Sequence, residues 1–170
     1  MGSLIPRSLK TSVLPLLFLV LVPLIVTADS DLVFFRGGIG VDPESGTNVV
    51  CGVKPGGGPW TIRELKADVD TDGHIRVKGI GLLLASTNVI GSNGGQVVQA
   101  QLFCNNTITS CGPGSSTSST GVALDQDGDF VIDDTLSPSP PSTCTNPVLL
   151  ITQIPSRGGR WFAAGIPVNS

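Results

Sequence analysis

Apolar and polar residues alternate along residues 60–85, and this alternation predicts a β-hairpin. Its turn is the three-residue segment 71–73, with Gly73 in the left-handed conformation that such turns need. The resulting register sets apolar side chains opposite one another on an inward face and charged side chains opposite one another on an outward face. The expected cross-strand pairs are Val69 with Ile75, Ala67 with Val77, Asp68 with Arg76, and Asp70 with His74.

The same turn chemistry returns in residues 122–132 and predicts a second hairpin. With residues 126–128 as its loop, Leu124 faces Phe130. In the first hairpin the apolar phase slips between residues 62 and 65 and again at Gly79, which predicts β-bulges there.

Further short segments have the composition of strands and are separated by turn-forming residues. Together they predict an all-β fold, a two-layer antiparallel β-sandwich of about nine short strands with no amphipathic helix. Two long stretches rich in Ser, Thr and Pro, residues 105–120 and 133–147, are predicted to be loops. Five aromatic residues lie within strand patterns and are expected in the core: Trp60, Trp161, Phe34, Phe103 and Phe130. The remaining predicted strands are residues 32–36, 47–53, 96–103, 148–153 and 161–166.

The first residues have the organisation of a secretory signal peptide. Basic residues precede an apolar run at 12–26, and small residues follow it up to Ala28. Two prolines interrupt the run, which is also shorter than the roughly 20 residues that span a bilayer, so a retained membrane anchor is the weaker alternative. The sequence therefore predicts a signal peptide at residues 1–28 and a single secreted, extracellular β-sandwich domain at residues 29–170.

The charge of the chain argues against two classes of partner. It has 10 Lys and Arg and 13 Asp and Glu, a formal net charge of −3, with no basic run. Nucleic acid and anionic membrane surfaces are poor partners for such a chain. After signal cleavage we expect no membrane association, and the expected partner is an extracellular protein or a glycan.

Four cysteines follow the apolar run, and an oxidising compartment favours two disulfides among them, with three connectivities open. Metal ligation by thiolates is disfavoured because no C-x-x-C pair occurs and His74 is the only histidine. The four positions are Cys51, Cys104, Cys111 and Cys144.

Both predicted turns are rich in aspartate and offer a candidate calcium site, the only cofactor that the sequence suggests. The first turn has the alternating carboxylates and the glycine of a calcium loop, but Gly79 stands where such a loop has its bidentate Glu. In the second turn two carboxylates face each other, a repulsion that a cation would relieve. The alternative is that Asp and Gly simply favour turns. The candidate ligands are Asp68, Asp70, Asp72, Asp125, Asp127 and Asp129.

The segment Asn105-Asn106-Thr107 is a sequon that makes Asn105 a candidate glycosylation site, and the chain a glycoprotein, in a host that glycosylates.

Catalytic motifs are weak. No G-x-S-x-G elbow occurs, and an exposed pair of His74 with Asp70 accounts for the single histidine. We therefore expect a non-catalytic extracellular binding or structural module that acts through surface contacts. A calcium-stabilised β module and a secreted hydrolase are the alternatives.

Several landmarks between residues 55 and 166 resemble those of a group of small secreted proteins, mostly bacterial, with no assigned activity. The resemblance implies a disulfide between Cys104 and Cys144, which leaves Cys51 and Cys111 for each other; it implies no catalytic residue. The chain departs from the pattern in its Ser/Thr-rich insert and in those last two cysteines. The landmarks are Pro59-Trp60-x-Ile62, Leu102-Phe103-Cys104, Asp127-Gly128-Asp129-Phe130, Cys144-x-x-Pro147-Val148-Leu149 and Trp161-Phe162-Ala163-Ala164.

Overall fold

The structure is a computed structural model that describes residue 2 and residues 30–43, 47–118 and 120–168. The predicted signal peptide therefore lies, apart from Gly2, outside the described residues. Within the described ranges no helix has the length and apolar character needed to cross a membrane.

Regular structure in the described part of the chain consists of strands and two short 3-10 helices. The strands are β1 (Asp31–Gly40), β2 (Trp60–Thr61), β3 (Glu64–Asp70), β4 (His74–Ile80), β5 (Leu83–Leu84), β6 (Val97–Phe103), β7 (Ser116–Ser118), β8 (Val122–Ala123), β9 (Phe130–Ser137), β10 (Val148–Gln153) and β11 (Trp161–Val168). The 3-10 helices are Thr87–Val89 and Pro155–Arg157.

Eight of the strands form one closed antiparallel barrel. Their order is β10-β11-β1-β3-β4-β9-β7-β6, and β6 pairs with β10 to close the ring. Strand β8 pairs with β6 outside this ring, and β2 pairs with β5 separately. The prediction of an all-β fold is confirmed, but the two-layer sandwich is wrong. Strands of a sandwich and strands of a barrel both alternate buried and exposed side chains. The alternation therefore identifies the strands but does not show whether the sheet closes into a barrel.

The barrel interior is filled by aliphatic and aromatic side chains from alternate strand positions. In β4, Ile75 and Val77 are buried while Arg76 and Lys78 are exposed. The largest fully buried side chains of the fold are Phe35, Val41, Leu65, Val69, Ile75, Leu82, Leu102, Ile132, Leu136, Leu149, Leu150 and Ile151.

The first hairpin has the register that the sequence predicts. Val69 lies opposite Ile75, and Gly73 has a φ of +92° in the turn. The pairing is interrupted between β2 and β3, where the sequence predicts the first slip of the apolar phase. Beyond this break β2 pairs with β5 in the same register as β3 with β4. The bulge predicted at Gly79 is wrong: the ladder passes through it without a shift, and the Phe130 ring occupies the space a side chain would need.

The second hairpin is confirmed at its turn but not along its arms. The amide of Gly128 donates to the carbonyl of Asp125, and Gly128 has a φ of +77°. Beyond the turn the arms take different partners. Strand β8 pairs with β6, and β9 pairs with β4, so the predicted facing pair of Leu124 and Phe130 is not a ladder pair.

Three other predicted boundaries are wrong. Residues 47–53 form no strand, because Cys51 and Gly52 have positive φ and fold the chain into a tight turn closed by a bridge between Val50 and Val53. The predicted loop 105–120 contains β7. The predicted loop 133–147 begins inside β9, where alternation continues through polar residues to a buried Leu136.

Both disulfides implied by the resemblance are confirmed. Cys104 pairs with Cys144 and Cys51 pairs with Cys111, with Cα–Cα distances of 4.7 and 5.4 Å. Two disulfides in one small domain point to an oxidising, extracellular environment.

Trp60, Trp161, Phe103 and Phe130 are buried, as predicted, whereas Phe34 is only half-buried, with the Arg36 guanidinium over its ring. The ring of Trp60 packs against Phe162 with a centroid separation of 4.4 Å. The backbone around Trp161 is held by the segment that precedes β2: its amide donates to the Lys54 carbonyl at 3.0 Å, and its carbonyl accepts from the Gly56 amide at 2.9 Å. These two backbone hydrogen bonds hold residues 54–56 against β11 of the barrel wall.

Candidate functional site

The carboxylates of the first Asp turn are held by neighbouring side chains and backbone. Asp68 forms an ion pair with Arg36 at 2.5 Å, and Asp72 accepts from the amide of His74 at 2.8 Å. Asp70 was expected on an exposed face but is only 3% exposed, and it lies 3.4 Å from the guanidinium of Arg76. Its burial follows from the position of β1, which runs alongside the end of β3.

The second Asp turn uses its carboxylates to hold its own backbone. Oδ1 of Asp125 accepts from the amides of Asp127 and Asp129 at 2.9 and 2.8 Å. Oδ1 of Asp129 accepts from the amide of Gly81 at 2.8 Å. The backbones of Asp125 and Asp129 therefore lie opposite each other across the turn. Their two carboxylates accept hydrogen bonds from different backbone amides. Among the described residues no group of three His, Cys, Asp or Glu side chains is arranged to hold a metal ion, and calcium binding stays a prediction.

These contacts predict unequal effects of two neighbouring substitutions. Asp125→Ala removes the acceptor for two backbone amides and is expected to lower the free energy of unfolding by about 1 kcal/mol. Asp127→Ala is the matched control, because only the backbone of Asp127 takes part in these bonds. Urea unfolding of both variants measures the difference. Equal losses would show that charge, rather than the hydrogen bonds of the turn, stabilises this segment.

His74 lies between two carboxylates. Its Nε2 is 2.6 Å from Oδ1 of Asp133 on β9, and its Nδ1 is 3.5 Å from Oδ2 of Asp70. Within the described residues no serine hydroxyl is hydrogen-bonded to this ring. The ring of His74 on β4 therefore lies between a carboxylate of β3 and a carboxylate of β9.

Asn105, the sequon residue, is exposed and has a φ of +57°. Its Oδ1 accepts from the amide and hydroxyl of Thr145 at 3.3 and 3.1 Å. The next residue, Asn106, is buried and donates to the carbonyls of Phe103 and Asn146. The sequon thus lies on a tightly held segment beside a disulfide, and its glycosylation stays a prediction.

A polar cleft of about 730 Å³ lies on the outer side of the barrel wall, over β6, β7 and β10. Its floor consists of strand side chains that point away from the barrel interior. Its two sides are the segment at residues 52–54 and the turn between β10 and β11. We call this feature the polar cleft. Its polar lining side chains are Gln99, Gln101, Thr117 and Thr152 on the floor and Lys54 and Arg160 at the rim.

The floor follows from strand register. Thr152 of β10 lies opposite Gln99 of β6. Two residues further along β6, Gln101 lies opposite Thr117 of β7. Period-two alternation sends all four side chains to the outer face, while their neighbours along the strands fill the barrel.

One side chain of the cleft floor has unmet hydrogen-bonding capacity. Thr152 is 1% exposed, and its Oγ1 has no hydrogen-bond partner among the described residues. Its neighbour on β6, Gln99, is 7% exposed and lies opposite Thr152. A buried hydroxyl without a partner costs about 1–3 kcal/mol, so the described part of the chain leaves this group of the cleft floor unsatisfied.

The sides of the cleft are fixed by covalent and hydrogen bonds. The disulfide at Cys51 holds one side, together with the bond from the Trp161 amide to Lys54. On the other side, Arg157 donates to the carbonyl of Gly95 at 2.8 Å. The cleft is therefore shaped by the fold itself.

The rim is positively charged in a chain that is negative overall. Lys54 and Arg160 line the cleft, and no acidic residue does. Arg160 donates to the carbonyl of Pro55 at 3.0 Å, which brings the two cationic segments together. In the described part of the chain neither cation forms an ion pair with a carboxylate.

Sequence reasoning missed this site. The alternation in residues 96–103 marks Gln99 and Gln101 as outward-facing, and that signal was available. Thr152 gives a weaker one, as a single polar residue near the end of an apolar strand. Bringing Lys54 beside Arg160 depends on the ladder between residues 54–56 and Trp161, which no local pattern predicts.

Comparisons of the chain with protein-family models, curated proteins and solved structures find no match. The resemblance to small secreted proteins therefore stays a prediction, and functional inference depends on the geometry of this chain.

Proposed function

We propose that this protein is a non-catalytic extracellular binding module and that its polar cleft takes a hydroxyl-rich ligand, a saccharide. The observation that carries the proposal is a cavity of about 730 Å³ whose floor bears two carboxamides and two hydroxyls, and the Thr152 hydroxyl has no hydrogen-bond partner among the described residues. Such a cavity is within the size range of small-molecule sites.

The chemistry of the floor suits saccharide hydroxyls. A carboxamide offers two N–H donors and a carbonyl acceptor, and a threonine hydroxyl both donates and accepts. A saccharide hydroxyl has the same dual character. Two amides and two hydroxyls on adjacent strands therefore present mixed hydrogen-bond donors and acceptors on the cleft floor.

The lining favours binding over bond cleavage. General acid–base catalysis on a glycosidic bond needs a pair of carboxyl groups, and no carboxylate, imidazole or thiol is among the residues that line the cleft. Both sides are held by bonds of the fold, so little conformational entropy is lost when a ligand enters.

The test uses a substitution that separates a ligand-binding role from a structural role. Thr152→Val keeps the shape of the side chain and removes the hydroxyl. Because that hydroxyl has no partner in the described residues, we expect the free energy of unfolding to stay the same or to rise by up to about 1 kcal/mol. A hydrogen bond to a ligand would be lost, so we expect saccharide affinity to fall about tenfold.

Affinity electrophoresis and calorimetry on dextran, galactan and polygalacturonate measure the affinity, with the chain produced in an oxidising compartment so that both disulfides form. Thr135→Val is the matched control, since Thr135 is an exposed strand residue outside the cleft. Binding to none of the three polymers, or equal affinities of Thr152→Val and the unsubstituted chain, would overturn the proposal.

A further inference from the structure

We infer that the polar cleft is selective for saccharides that carry carboxylates, with Lys54 and Arg160 as the groups that recognise the charge. This inference rests on the proposed function and adds the chemical class of the ligand. Its basis is the pairing of an uncharged floor with a cationic rim.

Charge is distributed unevenly over the molecule. The chain has 13 acidic and 10 basic residues, yet the cleft lining contains two cations and no acid. Elsewhere several basic side chains are neutralised by neighbours: Arg36 by Asp68, Lys66 by Glu64 and Arg76 by Asp70. Lys54 and Arg160 form no such pair in the described ranges, so their charges remain available to a ligand.

Backbone contacts place the two cations on one rim. The Trp161 amide donates to the Lys54 carbonyl at 3.0 Å, and Nη1 of Arg160 donates to the Pro55 carbonyl at 3.0 Å. The second bond also orients the guanidinium and leaves its other N–H groups for an acceptor. The backbone of Lys54 and the guanidinium of Arg160 are thus held on the same side of the cleft.

The geometry favours a carboxylate on a sugar ring. A planar guanidinium matches a planar carboxylate with two parallel hydrogen bonds, and an ammonium adds a point charge. The neutral amides and hydroxyls beneath suit the remaining ring hydroxyls. A ligand with hydroxyls along its length and an acidic group on each ring, as in a polyuronate, satisfies both parts of the cleft.

The experiment compares polygalacturonate with the same polymer after reduction of its carboxyl groups, on the unsubstituted chain and on Lys54→Met/Arg160→Gln. We expect the acidic polymer to bind the unsubstituted chain about tenfold more tightly than the reduced polymer. In the double variant that preference should fall to about twofold or less, and high salt should weaken only the complex with the acidic polymer.

Lys66→Met/Lys78→Met is the control: it makes the same change of charge on β3 and β4 and should keep the preference for the acidic polymer. Arg160→Lys should keep part of it.

The outcomes separate the two proposals. If both polymers bind equally and Thr152→Val still weakens them, carboxylate selectivity is overturned while saccharide binding stands. If neither binds, or if Thr152→Val has no effect, saccharide binding falls and selectivity falls with it. Tighter binding of dextran sulfate than of polygalacturonate would also overturn the carboxylate assignment.

Discussion

Replacing Cys104 and Cys144 together with alanine is expected to lower the free energy of unfolding by about 4 kcal/mol. The disulfide joins residues 40 positions apart and restricts the unfolded chain, which is the main source of stabilisation in the chain-entropy account. In the folded chain it ties the segment after β6 to the segment before β10. Urea or guanidinium unfolding of the two proteins measures the loss.

The second disulfide provides the comparison. Cys51 and Cys111 are 60 positions apart, so their removal should cost a similar amount of stability. Only this pair holds a side of the polar cleft, and only its removal should also weaken saccharide binding in protein that is still folded. A loss below about 1 kcal/mol for the Cys104–Cys144 variant would contradict the assigned role of that bond.

Gly40→Ala is expected to destabilise the fold by about 3 kcal/mol or more. A Cβ at this position would overlap the backbone carbonyl oxygen of Trp60 and lie 2.8 Å from Cα of Thr61. Backbone atoms cannot rotate away as a side chain can. The Trp60 amide also donates a hydrogen bond of 2.7 Å to the Val41 carbonyl, which holds the two segments together. The methyl group must therefore push β1 away from β2.

Gly57→Ala is the matched control, because no atom outside its chain neighbours lies within 4 Å of an added Cβ. We expect its midpoint in thermal unfolding to stay close to that of the unsubstituted chain. If Gly40→Ala unfolds at the same midpoint as Gly57→Ala, β1 and β2 do not approach each other as the structure shows.

The two hairpins show how far local sequence patterns reach. Both turns have Asp-Gly chemistry, and both glycines take the positive φ that this chemistry predicts. In the first hairpin the arms pair with each other in one register, from β3 and β4 into β2 and β5. In the second, the Leu124 amide donates to the Gln96 carbonyl and the arm joins β6 instead. An alternating strand fits either partner equally well, so the pattern alone could not choose.

Closure of the barrel depends on pairs that are distant in sequence. Strand β6 meets β10 across the Ser/Thr-rich and Pro-rich stretches, and the bridging strand β7 consists of Ser116, Thr117 and Ser118. No apolar residue marks β7 as a strand. Its buried Ser118 accepts from the Ala100 amide at 2.9 Å, so a side-chain oxygen supplies an acceptor to β6. This explains why a sandwich was predicted from the same residues.

The polar cleft was out of reach for a similar reason. Strand alternation could place Gln99 and Gln101 on an outer face of the sheet. It could not show that Thr152 and Arg160 line the same cleft. The Cys51–Cys111 disulfide supports one side of this cleft, and its pairing also depends on residues that are distant in sequence.

The most direct test of saccharide binding in the polar cleft is a ¹H–¹⁵N NMR titration of residues 29–170, with both disulfides formed, with a short oligogalacturonate. We expect the largest shifts at the backbone amides of β6, β7 and β10 and at the side-chain amides of Gln99 and Gln101. The exposed face of β3 and β4, which includes Lys66 and Lys78, should stay unchanged. Shifts confined to that face, or none at saturating ligand, would contradict the assignment of the cleft as the binding site.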